Sequence, residues 1–344
     1  MKAYDPSTNA VRTPAELDAW QAEDSEPILD PDQPIVDSHH HLWRKPEGDF
    51  LLPELQRTIG SGHHVVASVA IECGNSFRTS GRQEMRCVGE TESIVSAIRG
   101  ARPGICAGIV SHADLHLDTA VDVLDAQIEA AEGRLRGIRQ KLRWDRSGIG
   151  LFGQRGQPDL ITDPGFRRGF ALLAKRGLIF DAWVYHPQLQ QVAELARAFP
   201  DTTIVVNHCG GPLGVGPYEG RLDDVLVQWR AGINALAACP NVVMKIGGLG
   251  MLYYGFNFHQ RPKAPKSAEL AAAWRPYVDI CLAAFGPDRA MMESNWPVDR
   301  QSCSYRSLWN AFKRLTAGAS ENERAQLFHA TARHVYRLEE VEPC

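Results

Sequence analysis

No run of about 18 apolar residues occurs anywhere in the 344-residue sequence, so no segment reads as a membrane span. A basic-then-apolar leader is missing too: the opening MKAYDPSTNAVRTPAELDAW mixes charged, polar and apolar residues, and a soluble, unprocessed chain is expected. Charge of one sign is also lacking. The 37 Lys and Arg stand against 41 Asp and Glu, for a net charge of -4, and the cations are scattered. Neither a nucleic-acid partner nor a membrane partner is expected from such a surface. The eight cysteines include no CxxC pair and lie far apart, mostly in apolar segments, which reads as reduced thiols of a cytoplasmic protein. There is no internal repeat, and no GxGxxG or GxxxxGK[ST] follows the first strand-like run, which weakens a nucleotide-binding reading.

What is present is 44% hydrophobic residues, enough for a large core, distributed with two alternating periods. Residues 1–33 carry Pro and acidic groups without periodicity and read as an irregular N-terminal arm. Residues 34–344 read as one domain, in which eight β-branched runs predict strands: IVDSHHH, HVVASVAIE, GICAGIV, LRGIRQKL, LIFDAWVY, TIVVNHC, NVVMKIGG and RAMMESN. Helical spacing falls between them, at 82–100, 118–132, 163–176, 188–199, 223–238 and 268–285, with Asp118 and Asp163 as N-caps and Pro164 in a first turn. Eight such pairs predict an α/β fold of the (β/α)8 TIM-barrel type; an open doubly wound sheet is the alternative. The stretch GFNFHQRPKAPK (255–266) predicts a long loop after strand seven.

A barrel builds its site from the C-terminal ends of its strands, and polar chemistry recurs there in this chain. In VDSHHHLW, strand alternation puts His39 and His41 on one face and turns the structural His40 away. Glu72 ends strand two, Arg139 and Lys141 lie on strand four, and Asp181, Tyr185 and His186 end strand five. Asn207 and His208 end strand six, Lys245 lies on strand seven, and Glu293 and Asn295 end strand eight. His63 and His64 fall at a strand start, the face associated with stability. Glu72 reads equally as a site acid or as the partner of an Arg, and Asp181 as an anchor. The glycines of NHCGGP would let the backbone approach a ligand, or else make a tight turn.

These segments resemble the amidohydrolase superfamily, and within it the metal-dependent-hydrolase-like lactonase branch that includes pyrone-dicarboxylate lactonase, sulfomuconolactone hydrolase and the sugar-acid lactonases. The resemblance runs over roughly residues 34–338, through VDSHHHLW, LRGIRQ, FDAWVYHPQL, NHCGGP, ESNWPVD and ATARHVYRL. It implies lactone hydrolysis of a carboxylated or polyhydroxylated small molecule. Alternatives are a decarboxylase of the same superfamily, or a non-catalytic binder. It also implies His39, His41 and His208 as ligands of one Zn²⁺ or Mn²⁺, with Glu72 as an outlying carboxylate; catalysis without metal is equally compatible. Arg139, Lys141 and Lys245 would hold a substrate anion, and Tyr185, Trp43 and Trp296 would complete the substrate contacts. One position departs from the pattern. Where most relatives carry the Asp that serves as general base, this chain has Asn295, an amide without useful basicity. The base then falls to His208, His186, Glu293 or Asp299, or to a metal-bound water. A homo-oligomer is left open.

Overall fold

A computed structural model of the chain describes residues 11–22, 24–46, 48–150 and 156–339. The apolar runs form eight strands: β1 (Ile35–His40), β2 (Val65–Ile71), β3 (Gly108–Ser111), β4 (Leu135–Lys141), β5 (Ile179–Trp183), β6 (Ile204–Val206), β7 (Val242–Ile246) and β8 (Ala290–Met292). Nearly every strand residue is buried, as expected of a parallel sheet covered on both faces. All pair in parallel and in sequence order, and the sheet curls until the backbone N–H of His41 donates to the carbonyl of Trp296 at 2.8 Å. This is a (β/α)8 barrel, with β8 brought back to β1.

The outer layer comprises α1 (Pro14–Gln21), α2 (Leu52–Ile59), α3 (Val88–Ala97), α4 (Ala120–Ala130), α5 (Pro164–Lys175), α6 (Leu189–Ala198), α7 (Leu222–Ala237), α8 (Ser267–Phe285), α9 (Tyr305–Leu315), α10 (Glu321–Ala325) and α11 (Thr331–Tyr336). Asp163 caps α5 by accepting from the N–H of Phe166, with Pro164 in the first turn. Asp118 caps nothing: α4 starts after Thr119. The expected helix over 82–100 is interrupted, with a 3₁₀ turn at Gln83–Met85 before α3. The strand expected from Gly104 begins only at Gly108, because Gly104 and Cys106 take left-handed φ values of 91° and 48°, and the chain turns there before it extends. The loop after β7 carries single 3₁₀ turns at Leu252–Tyr254 and Phe258–Gln260.

The arm is not irregular throughout. Thr13 and Glu16 form a reciprocal capping box around Pro14, which starts α1. Arg12 and the indole N–H of Trp20 donate to the carbonyl of Arg261, and the amide of Gln21 donates to the carbonyls of Arg300 and Cys303 at 2.9 and 2.8 Å. The arm thus ties the loop after β7 to the loop after β8. The seven described cysteines are free thiols, and among the described residues no helix is long and apolar enough to cross a membrane.

Candidate functional site

Side chains from alternate strands meet inside a barrel, because inward positions of neighbouring strands are staggered. The polar strand ends follow this rule closely. The carboxylate of Asp181 on β5 accepts from the ammonium of Lys245 on β7 at 2.8 Å. Asp181 also accepts from Asn207 and from the hydroxyl of Tyr336. Arg139 on β4 donates through Nε to Glu72, just past β2, at 2.8 Å, and its second amino group donates to the Glu72 carbonyl. Burial acts to raise the Glu72 pKa, but the facing Arg139 and Lys141 bring it down to about 2. Glu72 is therefore the partner of an Arg, and two of the three guanidinium nitrogens of Arg139 are committed to it.

The third nitrogen of Arg139 turns to His39 Nε2, at 3.3 Å. His39 and His41 face each other through their Nε2 atoms, also at 3.3 Å, while His41 Nδ1–H donates to the carbonyl of Ile71 and leaves its own Nε2 bare. His40 points the other way and bonds the hydroxyl of Ser68 at 3.0 Å. Burial, then the charge of Lys245, holds the pKa of His39 well below the ordinary value; burial, then Arg139, does the same to His41. Both imidazoles are neutral at pH 7.

His208, beyond β6, completes the group. Its ring lies 4.5 Å from that of His39 and packs edge-on against Trp183. Glu293, beyond β8, accepts from His208 Nδ1–H at 2.7 Å and from its backbone N–H at 3.0 Å, while the other Glu293 oxygen stands 2.9 Å from His39 Nδ1. Burial lowers the His208 pKa, although Glu293 acts in the opposite sense. The two glycines after β7 make room: a Cβ on Gly248 would lie 2.4 Å from His208 Nδ1, and one on Gly247 2.4 Å from Glu293 Cγ. The glycines of NHCGGP serve a tight turn instead, since a Cβ on Gly211 would lie 2.2 Å from the carbonyl oxygen of Val184.

Asn295 adopts φ of 51°, a left-handed value that Asn tolerates, and its amide donates to Asp299 at 2.7 Å. Asp299 also accepts from the N–H of Gly250, and burial pushes its carboxyl well above the usual range. The pair is fully buried.

Other expected contacts lie farther out. Trp43 stacks over His41 at 6.0 Å and carries Lys45 on its ring, and Lys141 sits half-buried beside Glu72. Tyr185 is buried edge-on to Trp183 and Tyr253. His186 accepts from the N–H of Leu213 and packs on Tyr218, beside a cavity of about 390 Å³ between the loops after β4, β5 and β6, outside the central cluster. Trp296 packs on Tyr305, on the side of the arm. Trp183 and Asp37 were not singled out from sequence. Trp183 shares strand parity with Asp181 and Tyr185, and Asp37 ties β1 to β8 by accepting from the N–H and hydroxyl of Ser294.

The cluster suits a divalent cation. Two nitrogens on one tetrahedral zinc stand roughly 3.3 Å apart, the spacing of the His39 and His41 Nε2 atoms. Ligand atoms of His39, His208 and Glu293 also lie within 4.8 Å of one another. Imidazoles and a carboxylate are the donors such an ion requires.

Residues 36–338 match the family model described as Amidohydrolase. The chain is 39% identical over 236 residues to an uncharacterized protein of Sinorhizobium fredii, covering 68% of this chain and 71% of that one. It is 27% identical over 323 residues to an L-fucono-1,5-lactonase of Burkholderia multivorans, covering 89% of this chain and 96% of that enzyme. Among solved structures, an amidohydrolase from Burkholderia multivorans with bound zinc is similar at a TM-score of 0.69 and 25% identity, covering 89% of this chain and 99% of that one.

Proposed function

Because the chain belongs to the amidohydrolase family, we propose that it is a lactonase, and that the ring it opens is a polyhydroxylated sugar-acid lactone. Likeness to an L-fucono-1,5-lactonase over almost the whole chain supports the reaction class. The observation that carries the assignment of the base is the hydrogen bond from His208 Nδ1–H to Glu293 at 2.7 Å. With Nδ1 protonated and the ring neutral, His208 keeps its lone pair on Nε2, and the carboxylate behind it fixes the tautomer and steadies the imidazolium once it forms.

In this reading His208 Nε2 takes a proton from water as the oxygen attacks the lactone carbonyl. The developing oxyanion is met by Arg139, whose remaining N–H already points at His39. The ring C–O bond then breaks, and the proton passes from His208 to the departing alkoxide, giving the open hydroxy acid. A Zn²⁺ or Mn²⁺ held on the edge shared by His39 and His41 would polarise the same carbonyl. Asn295 takes no proton; it holds Asp299.

The commitment of Arg139 to Glu72 favours a ring without a carboxylate, since a bidentate clamp needs two free guanidinium nitrogens. Purified protein should be offered 1,4- and 1,5-lactones of sugar acids together with carboxylated pyrones and aromatics, following acid release against CO₂ release. Acid release from a sugar-acid lactone alone is expected; CO₂ release, or a preference for the pyrones, would defeat the reading.

A further inference from the structure

Every strand but β3 brings a polar side chain to the site described above, and strand parity says where the contribution of β3 should be found. Val110 packs in the barrel interior with Val36, Val69 and Ile179, whereas Ser111 turns outward and shares a hydrogen bond of 2.7 Å with the hydroxyl of Thr91 on α3. The next residue, His112, returns to the face of Val110. Barrel order then sets it between Glu72, just past β2, and Lys141 on β4, whose Nζ stands 4.0 Å from Glu72 Oε2.

His112 is held at one nitrogen and open at the other. Its Nδ1–H donates to the carbonyl of Arg139 at 3.2 Å; a carbonyl can only accept, so the neutral ring keeps its lone pair on Nε2. None of the described residues donates to that nitrogen, and the side chain is partly exposed. Phe77, from the loop after β2, faces the imidazole with 6.4 Å between ring centres and 22° between ring planes, and is itself 39% exposed. An apolar ring left in water beside an open acceptor suits a ligand that has both C–H faces and hydroxyls. An anion suits it less, because a bare Nε2 offers a lone pair and no proton. A hydroxyl gives its proton to Nε2 and still has lone pairs for a donor such as Lys141.

We propose that His112 is a specificity-determining, substrate-binding residue: its Nε2 accepts a hydrogen bond from a ring hydroxyl while Phe77 covers a C–H face, so that a polyhydroxylated ring is chosen over a bare one. The identity of the ring rests on the lactonase reading; the test does not, because it measures binding without turnover.

Calorimetry on the full-length protein compares the 1,5-lactam of a sugar acid, whose ring amide resists hydrolysis, with piperidin-2-one, the same ring without hydroxyls. His112→Asn keeps a donor for the Arg139 carbonyl but ends short of Nε2, and His112→Gln carries an acceptor out to where Nε2 stands. Wild type should prefer the hydroxylated lactam, His112→Asn should lose on the order of 10-fold of that preference, and His112→Gln should recover part of it. Equal binding of the two lactams by wild type would overturn the proposal, as would an unchanged preference in His112→Asn or an equal loss for both rings. Should the variants not fold, wild type labelled with ¹⁵N-histidine decides: the His112 Nε2 resonance should move with the hydroxylated lactam and stay still with piperidin-2-one, and no movement with either contradicts the inference. Acid release from the corresponding lactones is followed separately, so absent turnover with the lactam preference intact would defeat the lactonase reading and leave this subsite standing.

Discussion

Asn295 shows how one residue can both break a family pattern and belong where it is. Its amide supplies the hydrogen that the buried carboxyl of Asp299 accepts at 2.7 Å, so an Asp at this position would set two carboxyls against each other. Asn295→Asp is expected to destabilise the protein by about 2 kcal/mol in chemical denaturation. The sign with pH follows from the raised pKa of the buried Asp299 carboxyl: the unfolded chain releases its proton first, so the loss should grow as the pH rises above the ordinary carboxylate pKa of about 4 and be larger at about pH 7 than at about pH 4. Adding Asp299→Asn puts the donor on the other side and should restore most of the stability. An Asn295→Asp variant as stable as wild type at both pH values would remove the pairing from the account. The i, i+4 spacing of Asn295 and Asp299 was open to a reader of the sequence, as was the alternation joining His39 to His41. What could not be read was which carboxylate each cation would take: Glu72 could serve as site acid or as ion-pair partner until β2 and β4 were placed one strand apart.

Among the elements, strands were more legible than their ends. Eight apolar runs predict eight strands, and every strand but β3 falls inside its expected run, because burial on both faces leaves a continuous apolar signature. β3 starts later than the run GICAGIV predicts, since strand-like residues continue there through a turn set by the left-handed backbone of Gly104 and Cys106. The arm helix does not follow from periodicity, since eight residues of α1 are too few for one to declare itself; its signal in the sequence is the capping pair Thr13 and Glu16 around Pro14. That helix has a consequence at its own scale. Trp20 holds the carbonyl of Arg261, so Trp20→Ala should speed hydrogen exchange across residues 258–262 while the barrel strands keep their protection. Unchanged exchange there would mean that the loop after β7 stands without the arm.

For the molecule as a whole, the barrel acts as a device for bringing distant residues into skipped-strand pairs: His208 with Glu293, Asp181 with Lys245, and Glu72 with Arg139. Parity along each strand could be read from the sequence; the stagger between strands, which decides the partners, could not, because it belongs to the closed sheet and not to any segment of it. The proposed proton transfer rests on the first of these pairs, and the most direct measurement is kcat/KM for lactone opening by His208→Ala beside wild type, with thermal unfolding of both. A loss of roughly 10³-fold or more at a nearly unchanged Tm is predicted, because the side chain serves the reaction and not the core. Near-wild-type turnover by the folded variant would contradict the account.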